Sequence, residues 1–175
     1  AALSVRDKIG PRTLAQGSSK KATLSLCMIV KDEEEHLAKC LHSVRPVVDE
    51  MIVVDTGSSD KTKVIAQVFG AQVFDYPWTG DFSTARNHSL SKAAGDWILI
   101  MDADEVLSPL NFKELKGSID NKASVPVAYS LVTRNYVNDA SMLGWTQNNG
   151  QYPEEAGLGW VPSPKVRLFR RRKEV

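Results

Sequence analysis

The sequence predicts a single-domain α/β protein with a mostly parallel central sheet that is flanked by helices. Four apolar runs of strand length occur between residues 24 and 101. Their apolar character is nearly continuous, which is typical of strands buried on both faces. Segments with helical spacing separate these runs, and this alternation indicates strand–helix–strand units. A length of 175 residues with 42% apolar side chains suits one domain with a substantial core.

Each element follows from a local pattern. The predicted strands are LSLCMIV (Leu24–Val30), MIVV (51–54), AQVF (71–74) and WILIM (97–101). Helices are predicted within residues 33–44, 58–70, 82–94 and 108–119, and glycines close the second and third of them. Two more strands are predicted, within residues 125–133 and 165–169. Residues 138–164, rich in Asn, Gly, Pro and aromatics, are predicted as a long loop, and such loops are often functional.

Charge is unevenly distributed along the chain. Residues 1–21 carry a net charge of +4 and the last six residues one of +3, so the total of +1 leaves −6 for the residues between them. An acidic body argues against a nucleic-acid partner, since such surfaces need Lys and Arg. Residues 1–22 mix Gly, Pro, Ser and Lys without periodicity and are predicted to be a flexible leader before a domain of residues 23–175.

Nothing in the sequence indicates export or a membrane span. No apolar run approaches the ~20 residues that cross a bilayer, and the start lacks the apolar core of a secretory signal. A cytoplasmic protein is predicted, either free or at the inner membrane surface. Cys27 and Cys40 lack metal-ligand spacing and are predicted to be core residues.

Carboxylates follow three of the predicted strands. Lys31-Asp32-Glu33 follows the first strand, Asp55 the second, and Asp102-Ala103-Asp104-Glu105 the fourth. Ligands of open α/β sheets bind beyond the carboxyl ends of the strands. The sequence therefore predicts a binding site at this edge, where the charge needs a partner.

Asp102 and Asp104 are predicted to hold a divalent metal. If the backbone is extended there, side chains two residues apart point to the same side. Paired carboxylates suit Mg²⁺ or Mn²⁺ shared with substrate phosphates. A D-x-D pair alone is weak evidence for a metal site, because solvated or capping carboxylates have the same pattern. Glu105 is the member expected to cap or pair.

Asp55 is predicted to accept a hydrogen bond from a base N–H or a ribose hydroxyl. The turn that follows, Gly57-Ser58-Ser59, is predicted to expose backbone amides at a helix start, where anions bind. Ser59 and Asp60 are interpreted instead as ordinary capping residues. Neither a dinucleotide fingerprint, nor a P-loop, nor a serine nucleophile elbow occurs, and the three histidines are scattered.

Four segments together resemble family 2 glycosyltransferases of the Rossmann-like GT-A fold. They are LSLCMIVKDEEEHLAKCLHSV, DEMIVVDTGSSDKT, DFSTARNHSLSKAAGDWILIMDADE and VRLFRR, and the resemblance covers roughly residues 24–171. It implies a nucleotide-diphosphate sugar as donor, most simply a UDP-sugar, Mn²⁺ or Mg²⁺ as cofactor, and transfer with inversion. The acceptor, whether glycan, lipid or protein, is not identified, although the resemblance favours cell-envelope or surface polysaccharides.

The resemblance also implies roles for individual residues. Asp55 corresponds to the acidic residue that reads uracil or ribose, and Arg86 to a basic residue that faces the nucleotide. Asp104 is the better metal ligand, with Asp102 nearer the ribose. The remaining implied nucleotide contacts are Val30, Lys31, Glu33, Gly57 and Ala103, whereas the role of Asp32 is open because family members often have Asn there.

The sequence leaves open which residue is the general base and whether this chain catalyses transfer. Family members usually continue past RLFR, and the base is expected beyond Val175. Glu154 and Glu155 are alternatives, although a surface role is favoured for both, and Trp145, Tyr152 and Trp160 are predicted either to stack on sugars or to pack the loop. A fragment of a longer enzyme, a binding module without turnover and a nucleotidyltransferase are the competing interpretations. The nucleotidyltransferase interpretation is the least favoured, because such an enzyme would need a basic Gly-rich loop after the first strand and this chain has none there.

Overall fold

The computed structural model describes residues 2–9, 21–120 and 128–171, which form an α/β fold around one sheet. The strands are β1 (Ala2–Ile9), β2 (Leu24–Val30), β3 (Glu50–Asp55), β4 (Gln72–Asp75), β5 (Trp97–Ile100), β6 (Val106–Leu107), β7 (Ala128–Val137), β8 (Thr146–Gln147) and β9 (Gly159–Arg170). The helices are α1 (Leu37–Val44), α2 (Thr62–Val68), α3 (Phe82–Lys92) and α4 (Phe112–Asp120), with a short 3-10 turn at Pro109–Asn111 before α4.

The sheet has a parallel and an antiparallel half. Its strand order is β4-β3-β2-β5-β9-β7-β1-β6, and β8 pairs with β9 beside this path. Strands β4, β3, β2 and β5 are parallel to one another. Strand β9 runs antiparallel to β5, β7 and β8, and β7 runs antiparallel to β1. The predicted parallel sheet is thus confirmed for four strands, and the chain adds an antiparallel extension to it.

The core occupies both faces of the parallel half. Alternate β2 side chains, among them Leu26 and Met28, pack in a large cluster with α1, α2 and α4. Cys27 faces the other side, where Ile98 and α3 residues cover it. Both faces of these strands are therefore buried from solvent, which explains why their sequences are continuous apolar runs. Burial raises the pKa of the Cys27 thiol to about 12, as expected for an inert core residue.

The predicted leader is wrong for residues 2–9. Ala2–Ile9 form β1, which lies between β7 and β6 in the sheet. The reason is visible in the sequence, because Leu3 and Val5 alternate with Ser4 and Arg6, a period of two that favours a strand. Residues 1 and 10–20 of that prediction lie outside the described residues.

The long loop begins as predicted but ends earlier. Strand β9 starts at Gly159, and β8 lies inside the loop. Pro162 and Pro164 obscured this strand, since proline interrupts a ladder. They are tolerated because both pair only with β7, while the second neighbours of β9, namely β8 and β5, pair near its two ends.

The packing of α2 differs from the spacing of its apolar residues. Val64 and Val68 lie at helical spacing within residues 58–70, but they are 59% and 77% exposed. Ala66 and Thr62 are buried instead, so α2 presents a narrower apolar stripe. Across the described residues, no helix is long and apolar enough to cross a membrane.

Candidate donor site at the carboxyl ends of the parallel strands

The ends of β2, β3 and β5 converge as the sequence predicts. Val30 at the end of β2 pairs with Asp55 at the end of β3, and β5 lies on the other side of β2. The Thr56 backbone N–H donates to the Val30 carbonyl at 2.9 Å, and its hydroxyl donates to the same oxygen at 3.1 Å. This edge holds the loops that carry most of the predicted site residues.

Asp55 forms a buried acceptor at this edge. It is 1% exposed, and its Oδ2 accepts hydrogen bonds of 2.9 Å from the backbone N–H groups of Gly57 and Ser58. The positive φ of Gly57, 109°, makes this tight turn possible. The other oxygen, Oδ1, is buried without a hydrogen-bond partner in the part of the chain that the structure describes. Such an oxygen costs stability unless a ligand donates to it.

The predicted anion site in the Gly57-Ser58-Ser59 turn is wrong. The first two amides donate to Asp55, and the Ser59 amide donates to Asp32 Oδ1 at 2.7 Å. The carboxylates of the chain itself already fill the place that an external anion would take. The role of Gly57 at this edge is therefore conformational.

Asp32 joins the first two loops. Its backbone has a positive φ of 52°, which Asp and Asn tolerate better than most residues. Its N–H donates to Ser58 Oγ at 2.9 Å, in addition to the bond from Ser59. Asp60, which precedes the N-cap residue Lys61 of α2, accepts at Oδ1 from the Thr62 N–H at 2.9 Å, so it bonds to the first helical residue without being the N-cap itself. Ser59 has a different role from the predicted one, because it bonds to Asp32 rather than capping α2.

Lys31 and Glu33 flank Asp32. Lys31 is exposed and Glu33 is partly buried. The Glu33 N–H donates to Thr62 Oγ1 at 2.7 Å. Burial raises the pKa of Glu33, and the negative charges of Asp104, Asp60 and Asp102 raise it further against the opposing effect of His36. Glu33 therefore belongs to the same electrostatic environment as the D-x-D pair.

The charge that follows β5 has a protein partner, Arg167 of β9. Arg167 Nη2 donates to Asp102 Oδ2 at 2.6 Å and to Glu105 Oε1 at 2.9 Å. Arg167 and Glu105 are 4% and 3% exposed, and Thr133 adds a hydrogen bond of 3.0 Å to Glu105. Glu105 also accepts from the Asp102 N–H, so the prediction that Glu105 caps or pairs is confirmed.

Arg86 approaches Asp102 from α3. Its Nη2 lies 3.5 Å from Asp102 Oδ1. Burial alone would raise the pKa of Asp102, but the hydrogen bond from Arg167 and the charges of Arg167 and Arg86 outweigh it and lower that pKa. Arg86 Nη1 is buried and lacks a hydrogen-bond partner among the described residues. An unpaired guanidinium N–H at this edge is suited to a carbonyl or phosphate oxygen of a ligand.

The sequence reasoning missed Arg167, although a signal for it existed. This arginine lies inside the short apolar pattern VRLF, and a charge within a buried strand needs a partner. Three carboxylates after β5 needed a partner as well, and only the pairing of β5 with β9 brings the two together. That pairing cannot be read from local sequence.

The D-x-D pair is not extended. The Glu105 N–H donates to the Asp102 carbonyl at 3.1 Å, so residues 102–105 form a turn. Ala103 is buried beneath this turn, whereas the side chain of Asp104 is exposed. The two carboxylates therefore differ in environment, since the arginines hold Asp102 while Asp104 faces outward. Within the described ranges, no group of three His, Cys, Asp or Glu side chains is placed to hold a metal.

The aromatic residues of the long loop pack it in place. The Arg134 guanidinium lies between the rings of Tyr152 and Trp160, 4.1 and 4.3 Å from their centroids. A Cβ on Gly159 would lie only 2.4 Å from the Trp145 ring, so that ring packs directly on β9. These contacts account for the three aromatic side chains by packing, one of the two predicted roles.

Comparison with known proteins identifies a family. A sequence model of the family described as glycosyl transferase family 2 matches residues 25–173. A TPR repeat-containing protein of Synechococcus elongatus is 40% identical over 155 residues, which cover 88% of this chain and 33% of that protein. The SPbeta prophage-derived glycosyltransferase SunS of Bacillus subtilis is 35% identical over 129 residues, which cover 71% of this chain and 30% of that protein.

Solved structures give a partial match. A glucosyl-3-phosphoglycerate synthase from Mycobacterium tuberculosis, in complex with Mn²⁺, UDP and glucosyl-3-phosphoglycerate, is 29% identical with a TM-score of 0.43. The match covers 47% of this chain and 33% of that one. The chain spans about a third of the length of the curated relatives that it matches.

Proposed function

Because the chain belongs to glycosyl transferase family 2, we propose that it binds a nucleotide-diphosphate sugar at the ends of β2, β3 and β5 and transfers the sugar. The observation that carries this proposal is Asp55 Oδ1, which is buried and has no hydrogen-bond partner among the described residues. An ionised carboxylate in that position accepts a hydrogen bond from a ring N–H or a ribose hydroxyl. The proposed acceptor is a hydroxyl-bearing molecule, and its identity is open.

We propose a UDP-sugar as the donor, on chemical grounds. Uracil carries an N–H at ring position 3, which can donate to Asp55 Oδ1. Cytosine has a lone pair at the same position and would face the carboxylate acceptor to acceptor. Arg86 Nη1 supports this assignment, because it offers a donor to a uracil carbonyl or to a phosphate oxygen.

A divalent metal fits the site only together with the nucleotide. Asp104 is exposed on the turn, and Asp102 lies beside it with its oxygens directed to Arg167 and Arg86. Two carboxylates are too few for Mn²⁺ or Mg²⁺, which prefer about six oxygen ligands, so diphosphate oxygens and water would complete the set. Val30, Lys31, Glu33 and Ala103 would line the nucleotide beside these groups. When bound, the ion supplies positive charge to the departing phosphate.

The residues of the chain then have separable roles in transfer with inversion. Asp55 and Arg86 orient the nucleoside and the first phosphate. Arg167 holds Asp102 through a hydrogen bond of 2.6 Å, so the charged groups at this edge are arranged before the donor arrives. Such preorganised charge is effective because it needs no rearrangement as the C–O bond to the phosphate breaks.

Calorimetric titration of UDP, GDP and CDP, with and without Mn²⁺, tests the donor site. We expect UDP to bind more tightly with Mn²⁺ and CDP to bind at least about tenfold more weakly, since one hydrogen bond to a charged group contributes about 1.5–3 kcal/mol. GDP also carries a ring N–H, so its affinity reports whether the pocket admits a purine. Equal affinity for UDP and CDP would contradict the role of Asp55.

Two substitutions locate the binding groups. Asp55→Asn should lower UDP affinity about 10- to 100-fold by the same reasoning. The matched control is Asp75→Asn, because Asp75 ends the neighbouring strand β4 but is 75% exposed and pairs with Lys63.

Asp104→Asn should reduce UDP affinity in Mn²⁺ to the value measured without metal and leave the fold intact. Retention of the Mn²⁺ effect in that variant would refute the metal assignment.

Measuring the release of UDP from UDP-sugars distinguishes an enzyme from a binding module. Progressive UDP release by the wild-type chain, dependent on Asp104, is the expected result. Tight UDP binding without any release would favour a donor-binding module.

A further inference from the structure

Helix α1 packs against β6, the short strand that follows the turn of residues 102–105, which we call the D-x-D turn. Most of the buried side chains of α1 are apolar and belong to the core. Two of its side chains, Cys40 and Ser43, instead form hydrogen bonds with the backbone on either side of Asp104. Helix α1 therefore contacts the D-x-D turn by specific polar bonds as well as by packing.

Cys40 contacts the start of the turn. Its side chain is fully buried, and its Sγ donates to the Asp102 carbonyl at 3.5 Å. Burial raises the pKa of this thiol, and the charges of Glu105, Asp104 and Asp102 raise it further, so the thiol keeps the proton that it donates. The same carbonyl accepts from the Glu105 N–H at 3.1 Å. Cys40 thus bonds to the oxygen that closes the turn.

Ser43 contacts the segment that leaves the turn. Its Oγ accepts from the Leu107 N–H at 3.0 Å and donates to the Cys40 carbonyl at 2.7 Å. Leu107 is 1% exposed, and a buried backbone N–H needs a partner. Because Cys40 and Ser43 are three residues apart in a helix, they lie on one face of α1. One helix face therefore holds the backbone before and after Asp104.

This anchoring matters because Asp104 lies among like charges. Its charge, with those of Asp60 and Asp102, raises the pKa of Glu33, so these carboxylates are close enough to repel one another. Repulsion favours movement of an exposed carboxylate away from the others, whereas Mn²⁺ and Mg²⁺ need oxygen ligands at defined positions. Fixing the backbone on both sides of Asp104 limits that movement.

We propose that Cys40 and Ser43 are positioning residues that hold the D-x-D turn in the shape in which Asp104 binds the metal, an inference that rests on the proposed function. Both act through the backbone of the turn and its flanking strand. Removing groups that orient metal ligands commonly lowers metal affinity by about 10- to 100-fold. We expect the lower end of that range, because Cys40 and Ser43 bond to the backbone rather than to the carboxylate of Asp104.

The experiment measures UDP affinity of the 175-residue chain by calorimetry, with and without Mn²⁺, in the wild type, Cys40→Ala and Ser43→Ala. The control for Cys40 is Cys27→Ala, which removes another fully buried thiol that donates to a backbone carbonyl, at 3.7 Å. The control for Ser43 is Ser91→Ala, which removes an exposed helical hydroxyl that donates to the carbonyl three residues earlier at 2.7 Å.

We expect Cys40→Ala and Ser43→Ala to reduce the gain in UDP affinity that Mn²⁺ provides by about tenfold and to keep the affinity measured without metal. Titration of Mn²⁺ in saturating UDP, followed by the electron paramagnetic resonance signal of the free ion, should show the same loss of metal affinity. Both controls should keep the wild-type gain, and Ser43→Thr should restore it because it retains the hydroxyl.

Urea denaturation separates positioning from a general loss of packing, since Cys40→Ala and Cys27→Ala should be destabilised to a similar extent and differ only in the Mn²⁺ gain. A wild-type gain in both Cys40→Ala and Ser43→Ala, an equal loss in the controls, or no restoration by Ser43→Thr would overturn the inference alone. UDP binding without any Mn²⁺ effect in the wild type would refute the metal assignment and this inference with it. No UDP binding by the wild type would refute the proposed function itself.

Discussion

The two halves of the sheet differ in how their structure is determined. In the parallel half, each strand is buried on both faces, and the sequence between strands supplies the helices that cover it. In the antiparallel half, β7 and β9 carry many exposed or partly exposed residues, and pairing between distant segments aligns them. Local patterns therefore specify the parallel half, while long-range pairing and a few side-chain contacts specify the antiparallel half.

Arg167 joins the two halves, and removing it gives the largest expected effect. Arg167→Met leaves Glu105 buried without its charged partner, which should lower the free energy of unfolding by about 3–5 kcal/mol. Urea denaturation measures this loss. The control is Arg170→Met, since Arg170 lies in the same strand but is exposed, with its guanidinium 5.4 Å from the centroid of the Trp97 ring. A loss below about 1 kcal/mol in Arg167→Met would mean that the halves are joined by backbone pairing alone.

Arg134 tests whether the antiparallel half can be weakened separately. Arg134→Met removes the cation that lies between two aromatic rings, and we expect a loss of about 1–2 kcal/mol together with faster proteolysis of the long loop. UDP affinity should stay unchanged, because Arg134 is remote from Asp55 in the sheet. Asn135→Ala, at an exposed neighbour, is the control. A parallel loss of UDP affinity in Arg134→Met would show that the halves are coupled.

The smallest expected effect is a pH dependence that arises from Asp102. Its pKa is lower in the folded chain than the ordinary value of 3.8, so its ion pairs stabilise the fold above that value. The contribution is lost as the pH falls through the folded pKa. It should be less than about 1 kcal/mol, because 43% of the side chain is exposed and solvent screens the pairs.

Comparison of wild type and Asp102→Asn by urea denaturation at pH 6, 4 and 3 measures this effect. The stability difference should be largest at pH 6 and should decrease below pH 4. A difference that grows as the pH falls would contradict the sign of the shift.

The sequence predicted the parallel half and the meeting of the acidic strand ends at one edge. The position of Asp55 at the end of β3 was predictable, because an acidic residue after a buried strand is a local signal, whereas its contact with a nucleotide stays a prediction. The environment of Asp102 was not predictable, since its arginine partner lies 65 residues further along the chain. The long loop could not be interpreted either, because its order depends on Arg134 and on pairing between β7 and β9.

The different environments of Glu154 and Glu155 show the same limit of prediction from sequence. Two adjacent carboxylates in a loop look alike in sequence. Hydrogen bonds from backbone N–H groups and the contact with Arg134 distinguish them, and these exist only once the loop has closed. The family resemblance predicted a donor site and gave no position for the base within this chain.

The contact between Arg167 and the carboxylates after β5 also has a consequence for the order of assembly. During synthesis, Asp102 and Glu105 emerge more than 60 residues before Arg167 does. Until β9 docks, burying Glu105 would leave a charge unpaired, so that edge of β5 should stay hydrated in the nascent chain. Of the strands that the structure describes, β9 is made last and completes this edge, so a ribosome-bound chain that lacks β9 should not have the proposed affinity for UDP.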